Sequence, residues 1–95
     1  MPKAAYNDTE VAQSDNTEQV EGNEYFPRDS VDMSKFTHSD TKYTCPWKGD
    51  AEYFNLEVDG KTIEDAAWSY PSPKEAAGHI AGHLAFDRSK GVTIS

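Results

Sequence analysis

Residues Tyr53-Phe54-Asn55-Leu56-Glu57-Val58-Asp59-Gly60-Lys61-Thr62-Ile63-Glu64-Asp65 alternate apolar and polar side chains on either side of one Asp-Gly pair. Alternation with a period of two marks a half-buried strand, and Asp-Gly is a pair preferred by the two-residue type I′ turn, whose central positions both need φ > 0. The stretch is predicted to be a β-hairpin with Asp59 and Gly60 as its loop. The turn also sets a register: Val58 faces Lys61, Leu56 faces Ile63 and Phe54 faces Asp65. Phe54, Leu56, Val58 and Ile63 then mark the core face, and Tyr53, Asn55, Ala66 and Trp68 lie on the other. In this register Asp65 falls among apolar neighbours, where a bare carboxylate is costly, so it must be paired, hydrogen-bonded or protonated. Lys48 and Arg28 are the cations expected to meet it; a bulge between Phe54 and Asp65 would cancel the expectation.

Two blocks flank the hairpin. Thr44-Cys45-Pro46-Trp47-Lys48-Gly49 precedes it and Asp65-Ala66-Ala67-Trp68-Ser69-Tyr70-Pro71 follows it, and together they hold both tryptophans and the one cysteine. Lys42 to Cys45 alternates as a strand would and Pro46, which has no N–H for a ladder, ends it. Further upstream, Ala4-Ala5-Tyr6, Glu10 to Gln13 and Thr17 to Glu21 read as a meander of short strands separated by Asn-Asp and Ser-Asp-Asn turns. Glu24-Tyr25-Phe26 is another strand, stopped by Pro27. Capping residues between Arg28 and Asp40 predict one helical turn or an irregular crossover, closed by Ser39-Asp40-Thr41.

Downstream, Ser72-Pro73-Lys74-Glu75 has the form of a helix start, with Ser72 as N-cap, Pro73 in the first position and Glu75 completing a capping box. One short helix near residues 73–81 is expected, with Ala76, Ala77, Ile80 and Ala81 on its packed face. Leu84-Ala85-Phe86 and Val92-Thr93-Ile94, joined by a polar turn, read as a closing hairpin. The fold class is therefore mainly β: one small domain over residues 1–95, a β-barrel or a two-sheet sandwich of short antiparallel strands.

Composition narrows the function. The chain has 95 residues, a formal charge of −8 and only 36% hydrophobic side chains, but 12% are aromatic. A few large rings must supply the core. The charge makes nucleic acid and anionic membrane poor partners, because either needs a Lys/Arg stripe to displace counterions. One cysteine forms no internal disulfide and no multi-cysteine zinc site. No apolar run is long enough to span a membrane and no secretory leader opens the chain, so a cytoplasmic protein is expected.

Three groups of side chains carry candidate chemistry. Cys45 is a nucleophile candidate beside Lys48, but with no histidine in local reach a buried packing role is favoured. Glu75, His79 and His83 recur every four residues, a spacing used by metal sites; without further ligands they read as a solvated face, and no metal or cofactor is assigned. Tyr25, Arg28, Trp47, Lys48, Asp65 and Tyr70 form the candidate ligand site. An aromatic rim with a Lys and an Asp suits a small anionic or carbonyl-bearing ligand. An enzyme is the alternative, with Asp65 as general base and Lys48 or Tyr25 steadying an oxyanion, and Cys45 the remaining catalytic candidate. A homodimer joined by exposed Trp and Tyr is the third reading. Phosphate-loop, dinucleotide-binding and metalloprotease motifs are absent, as is an Asp-x-Asp pair.

Asn23-Glu24-Tyr25-Phe26-Pro27, Ser39-Asp40-Thr41, Cys45-Pro46-Trp47-Lys48-Gly49 and Asp65-Ala66-Ala67-Trp68-Ser69-Tyr70-Pro71, in this order, resemble the domain of unknown function 427 family across nearly the whole chain. The resemblance implies a small mainly β single domain; some catalogues attach a nucleotidyltransferase-like label, and the family brings no assigned catalytic residues. The matching positions are Tyr25, Pro27, Cys45, Pro46, Lys48, Gly49, Tyr53, Asp65, Trp68, Tyr70 and Pro71.

Overall fold

The computed structural model describes residues 1–95. Its nine strands are β1 (Lys3–Tyr6), β2 (Thr9–Gln13), β3 (Glu18–Val20), β4 (Asn23–Tyr25), β5 (Phe36–Cys45), β6 (Gly49–Val58), β7 (Lys61–Ser69), β8 (Leu84–Phe86) and β9 (Val92–Ile94). They form three antiparallel sheets, ordered β2-β1-β9, β3-β4 and β5-β6-β7-β8. The fold is mainly β, as the alternation predicts, and no sheet closes into a barrel. No helix is long and apolar enough to cross a membrane.

The Asp59-Gly60 turn forms with φ of 52° and 78°, the left-handed pair a type I′ turn needs. Val58 faces Lys61 and Leu56 faces Ile63, as predicted. The register then changes: Phe54 faces Ala67 and Tyr53 faces Trp68. Only Asn55 separates Phe54 from Leu56, whereas Glu64, Asp65 and Ala66 separate Ile63 from Ala67. This β-bulge centres on Asp65, which is left-handed at φ 55° and donates its N–H to Asn55 Oδ1 at 3.0 Å. A side-chain amide thus takes a bond that a regular ladder would have made.

The four-stranded sheet is covered on both faces, as adjacent residues of β8 show. Leu84 and Phe86 join a 14-residue core with Phe36, Phe54 and Leu56 and with Ala4, Val11 and Val92 of the terminal sheet. Ala85, between them, joins a second cluster with Val20, Tyr25, Cys45, Tyr70, Ala77 and Ile80. Rings do supply much of the first core: Phe86 lies 5.6 Å from Phe26 and 5.9 Å from Phe36 between centroids. Each phenyl buries more area than an aliphatic side chain, which offsets the scarcity of leucine.

Three local expectations are corrected. The 73–81 segment is not an α-helix capped by Ser72 but a 3₁₀ segment over Glu75–Ile80, opened by Lys74 without a side-chain cap and interrupted at Ala77 (φ −114°). Lys74 is held elsewhere: its N–H donates to Lys48 O at 2.8 Å and its ammonium to Pro46 O at 2.6 Å. Ser39-Asp40-Thr41 does not close the crossover, which consists of 3₁₀ turns at Arg28–Ser30 and Met33–Lys35; it is a bulge inside β5. Finally, β8 and β9 are not a hairpin, since β8 pairs with β7 and β9 with β1. The intervening 3₁₀ turn, with Ser89 N–H bonded to Asp87 and Gly91 at φ 101°, sends the chain to another sheet.

Candidate functional site

Cys45 and Gly49 pair as the last and first residues of β5 and β6, so Pro46-Trp47-Lys48 is the loop between them. Gly49 is required here. Its φ is 109°, and a Cβ would lie 3.4 Å from Lys74 N and 3.6 Å from Pro73 Cα. The two Lys74 bonds strap the loop to the segment after Tyr70. The consequence is a sharp contrast between neighbours: Trp47 is 39% exposed and Lys48 only 6%.

The Lys48 side chain runs inward between aromatic rings. Its Nζ lies 5.3 Å from the centre of the Tyr70 ring and 5.4 Å from that of Trp47, within cation–π range of both. The ammonium bonds Glu21 Oε1, and the other Glu21 oxygen accepts from Trp47 Nε1 at 3.3 Å. Glu21 sits in the β3–β4 turn at φ 54°, followed by Gly22 at φ 80°. Its side chain is 52% exposed, against 7% for that of Lys48. The pair is therefore a fixed, buried cation met by a carboxylate at the solvent edge.

The electrostatics follow from that asymmetry. Burial, the largest single influence, pushes the Lys48 ammonium down, but the Glu21 bond and the charges of Tyr25, Tyr70 and Glu21 together outweigh it and hold the group above the ordinary lysine range. Glu21 is lowered by its bonds from Lys48 and then Trp47. Burial raises the Tyr70 phenol to about 12, with Lys48 opposing. With Glu21 in place, Lys48 is thus favoured as a cation at neutral pH and is placed to hold negative charge rather than to supply the free amine that a Schiff base needs.

Tyr25 stands beside this group and is fully buried. Its Oη accepts from Trp68 Nε1 at 3.1 Å, with the two rings edge to face at 84°. Of the six candidate ligand-site residues, Tyr25, Trp47, Lys48 and Tyr70 are thus brought together. Asp65 and Arg28 are not. The Asp65 carboxylate accepts from Ser39 Oγ at 2.5 Å and Thr41 Oγ1 at 2.7 Å, joining the bulge of β7 to that of β5. The expected pair with Lys48 or Arg28 is replaced by two hydroxyls, because the bulge turns the side chain away from the core. These bonds, Ser39 first, hold the carboxyl below the usual range, the reverse of what a general base at neutral pH requires. Arg28 instead meets Glu52 Oε1 at 3.3 Å and lies 5.6 Å from the Phe54 ring centre.

Cys45 is 6% exposed and packs in the second cluster with Tyr70 and Ala51, which is the packing role expected of it. His83 Nδ1 contacts Ala81 O at 3.2 Å, and no three His, Cys, Asp or Glu side chains converge as metal ligands. Two open grooves mark the surface. One of about 310 Å³ is lined by Lys42, Tyr43, Thr44, Asp50, Ala51, Glu52 and Pro71. The other, about 410 Å³ and wholly polar, follows the paired bulges at Ser39, Asp40, Thr41, Asn55 and Glu64. Neither is lined by Lys48, over which Glu21 lies. Glu21 is the site residue that sequence reading misses; its signal is an acidic residue before glycine in a turn, a position where Asn would be the ordinary choice.

Fold and site together define a small mainly β domain with one buried lysine held between aromatic rings under a surface carboxylate. Over residues 3–94 the chain matches the family model labelled NTP_transf_9 and described as a domain of unknown function, DUF427, and it belongs to that family. No curated protein matches it significantly.

Proposed function

We propose that this domain binds a small anionic or carbonyl-bearing ligand at Lys48, with Tyr25, Trp47 and Tyr70 around it. The observation that carries the reading is the ammonium itself: a cation with a 7% exposed side chain, between two rings, whose anionic partner is a residue that water can take back. Burying a charge is costly unless something opposes it, and a site that keeps one beside rings is suited to recognising the opposite charge. Arg28 and Asp65 support the surrounding strands in this reading and do not touch the ligand. The binding reading is favoured over the enzymatic alternative because the Asp65 carboxylate, its general base, is bonded to Ser39 and Thr41 rather than set beside Lys48.

Thermal unfolding in the presence of acetate, benzoate, inorganic phosphate, ATP and acetone tests the proposal. A ligand that binds only the folded state at a hundred times its Kd adds about 2.7 kcal/mol of stability. For a domain of this size that raises Tm by roughly 10 °C or more. The rise is expected for at least one of these compounds with the wild type and is expected to vanish in Lys48→Met. That variant should fold, because Met fills the buried volume and Glu21 can rehydrate. Absence of any rise in the wild type, or a rise that survives in Lys48→Met, overturns the reading.

A further inference from the structure

We infer that Lys48 Nζ and Trp47 Nε1 form a two-donor receptor for a single carboxylate group, filled by Glu21 as an internal occupant, and that the external ligand is a carboxylate with an apolar or aromatic body. The inference rests on the function proposed above and gives its ligand a chemical class.

Donor count and spacing set that class. Adjacent residues present one ammonium and one indole N–H, and each takes a different oxygen of the same Glu21 carboxylate. A carboxylate offers two acceptor oxygens, so this arrangement satisfies it with one charged and one neutral donor. The cations that bond the two segments carrying the receptor are engaged on the main chain: Lys74 on Pro46 O at 2.6 Å and Arg88 on Gly22 O at 3.2 Å. A phosphate would bring a third and fourth oxygen for which the receptor has no free donor. Next to the carboxylate position lie the 39% exposed Trp47 ring and, deeper, the Tyr70 ring, which suit a flat apolar body better than another charge.

Displacement is feasible because the two partners differ. Glu21 is half exposed and rides on a two-residue turn, so its side chain can swing into water without uncovering the core. Lys48 cannot leave, being enclosed by rings and strapped through its own carbonyl to Lys74 N. Glu21 is also an unfavourable choice for its backbone: a non-glycine residue at φ 54° is strained, and Asn suits that turn position better. Its carboxylate is what the turn gains in exchange. An occupant tethered in this way lowers the apparent affinity of an external ligand by the fraction of molecules in which the receptor is open.

The test is titration of wild type, Glu21→Ala and Glu21→Ala/Lys48→Met with benzoate, acetate, inorganic phosphate and benzyl alcohol, followed by the indole N–H resonance of Trp47. Glu21→Ala is expected to bind benzoate about tenfold more tightly than the wild type, with that resonance shifting. Acetate should bind more weakly, benzyl alcohol should not bind, and the double variant should lose benzoate binding. If Glu21→Ala is unfolded, Glu21→Gln, which keeps the size and loses the charge, is measured in the same way. Wild-type benzoate binding that Glu21 removal leaves unchanged overturns the internal-occupant inference while anion binding at Lys48 stands. Tighter binding of phosphate than of benzoate overturns the carboxylate class alone. Absence of binding by any anion to all variants overturns both this inference and the proposed function.

Discussion

Trp68 Nε1 donates to Tyr25 Oη at 3.1 Å, tying β7 of the central sheet to β4 of the small hairpin across 43 residues of sequence. The bond anchors the hairpin that carries Glu21, since Tyr25 is fully buried and follows the Glu21-Gly22 turn on the same strand pair. Tyr25→Phe keeps the ring and removes the acceptor, leaving a partly buried indole N–H without its partner. Stability is expected to fall by about 1 kcal/mol, read as a lower denaturation midpoint with an unchanged m-value. An unchanged midpoint would show that water replaces the phenol.

Asp65 gives a prediction at low pH. Its folded-state carboxyl is held below the usual range by Ser39 and then Thr41, so its contribution is complete above that range and is lost as pH falls through the folded value. Between about pH 5 and about pH 2, the wild type is therefore expected to lose more stability than Asp65→Asn. Substitution also separates the bonds from the backbone: Asp65→Ala loses the bonds and keeps the strain of φ 55°, whereas Asp65→Gly loses only the bonds. Urea unfolding should find the glycine variant more stable than the alanine variant by about 1 kcal/mol.

Lys48 supplies the alkaline counterpart. In the wild type its folded value is raised, so its contribution is complete below the unfolded lysine value and is lost as pH rises through the folded one. Without the Glu21 bond and charge, burial, the largest influence on Lys48, loses its main opponent and the ammonium is expected to be depressed, so stability then rises as pH rises toward the ordinary lysine value. The stability difference between wild type and Glu21→Gln should accordingly narrow between about pH 8 and about pH 10. A gap that stays constant would mean that Lys48 is hydrated once Glu21 is gone.

Ser69 is fully buried on β7, and its hydroxyl has no hydrogen-bond partner. A buried hydroxyl without a partner costs free energy, and alanine fills nearly the same space. Ser69→Ala is expected to stabilise the protein by about 1 kcal/mol, measured as a rise in Tm. A fall would reveal a bond made in solution.

Local signals in the sequence locate most of the strands, because alternation and an Asp-Gly pair depend on neighbours a few residues apart. The hairpin register holds as far as Leu56 and Ile63 and breaks at Asp65. Nothing in the residue types of Glu64-Asp65-Ala66 demands a left-handed aspartate. The demand comes from Asn55, Ser39 and Thr41, on two other strands. The same limit hides the partner of Lys48. Cys45-Pro46-Trp47-Lys48-Gly49 identifies the loop, but its counter-charge lies 27 residues upstream, at Glu21, which the sequence reading places at the end of a strand. Ser72 and Glu75 show the converse: local cap chemistry is present, and the bonds from Lys74 to Lys48 and Pro46 override it.

Strand β1 is the middle strand of the terminal sheet, with β2 on one side and β9 on the other, and Lys3 and Ser95 exchange both main-chain bonds at 3.0 and 2.9 Å. Its first neighbour is a hairpin partner a few residues away; its second is separated from it by nearly the whole chain. During synthesis, one edge of β1 therefore stays bare until residues 92–94 leave the ribosome, although Ala4 and Val92 both belong to the main core. Closing so long a loop is entropically slow, and an unpaired strand edge is a template for another chain. The domain's exposure to misassembly is thus set by the interval between making its first strand and its last.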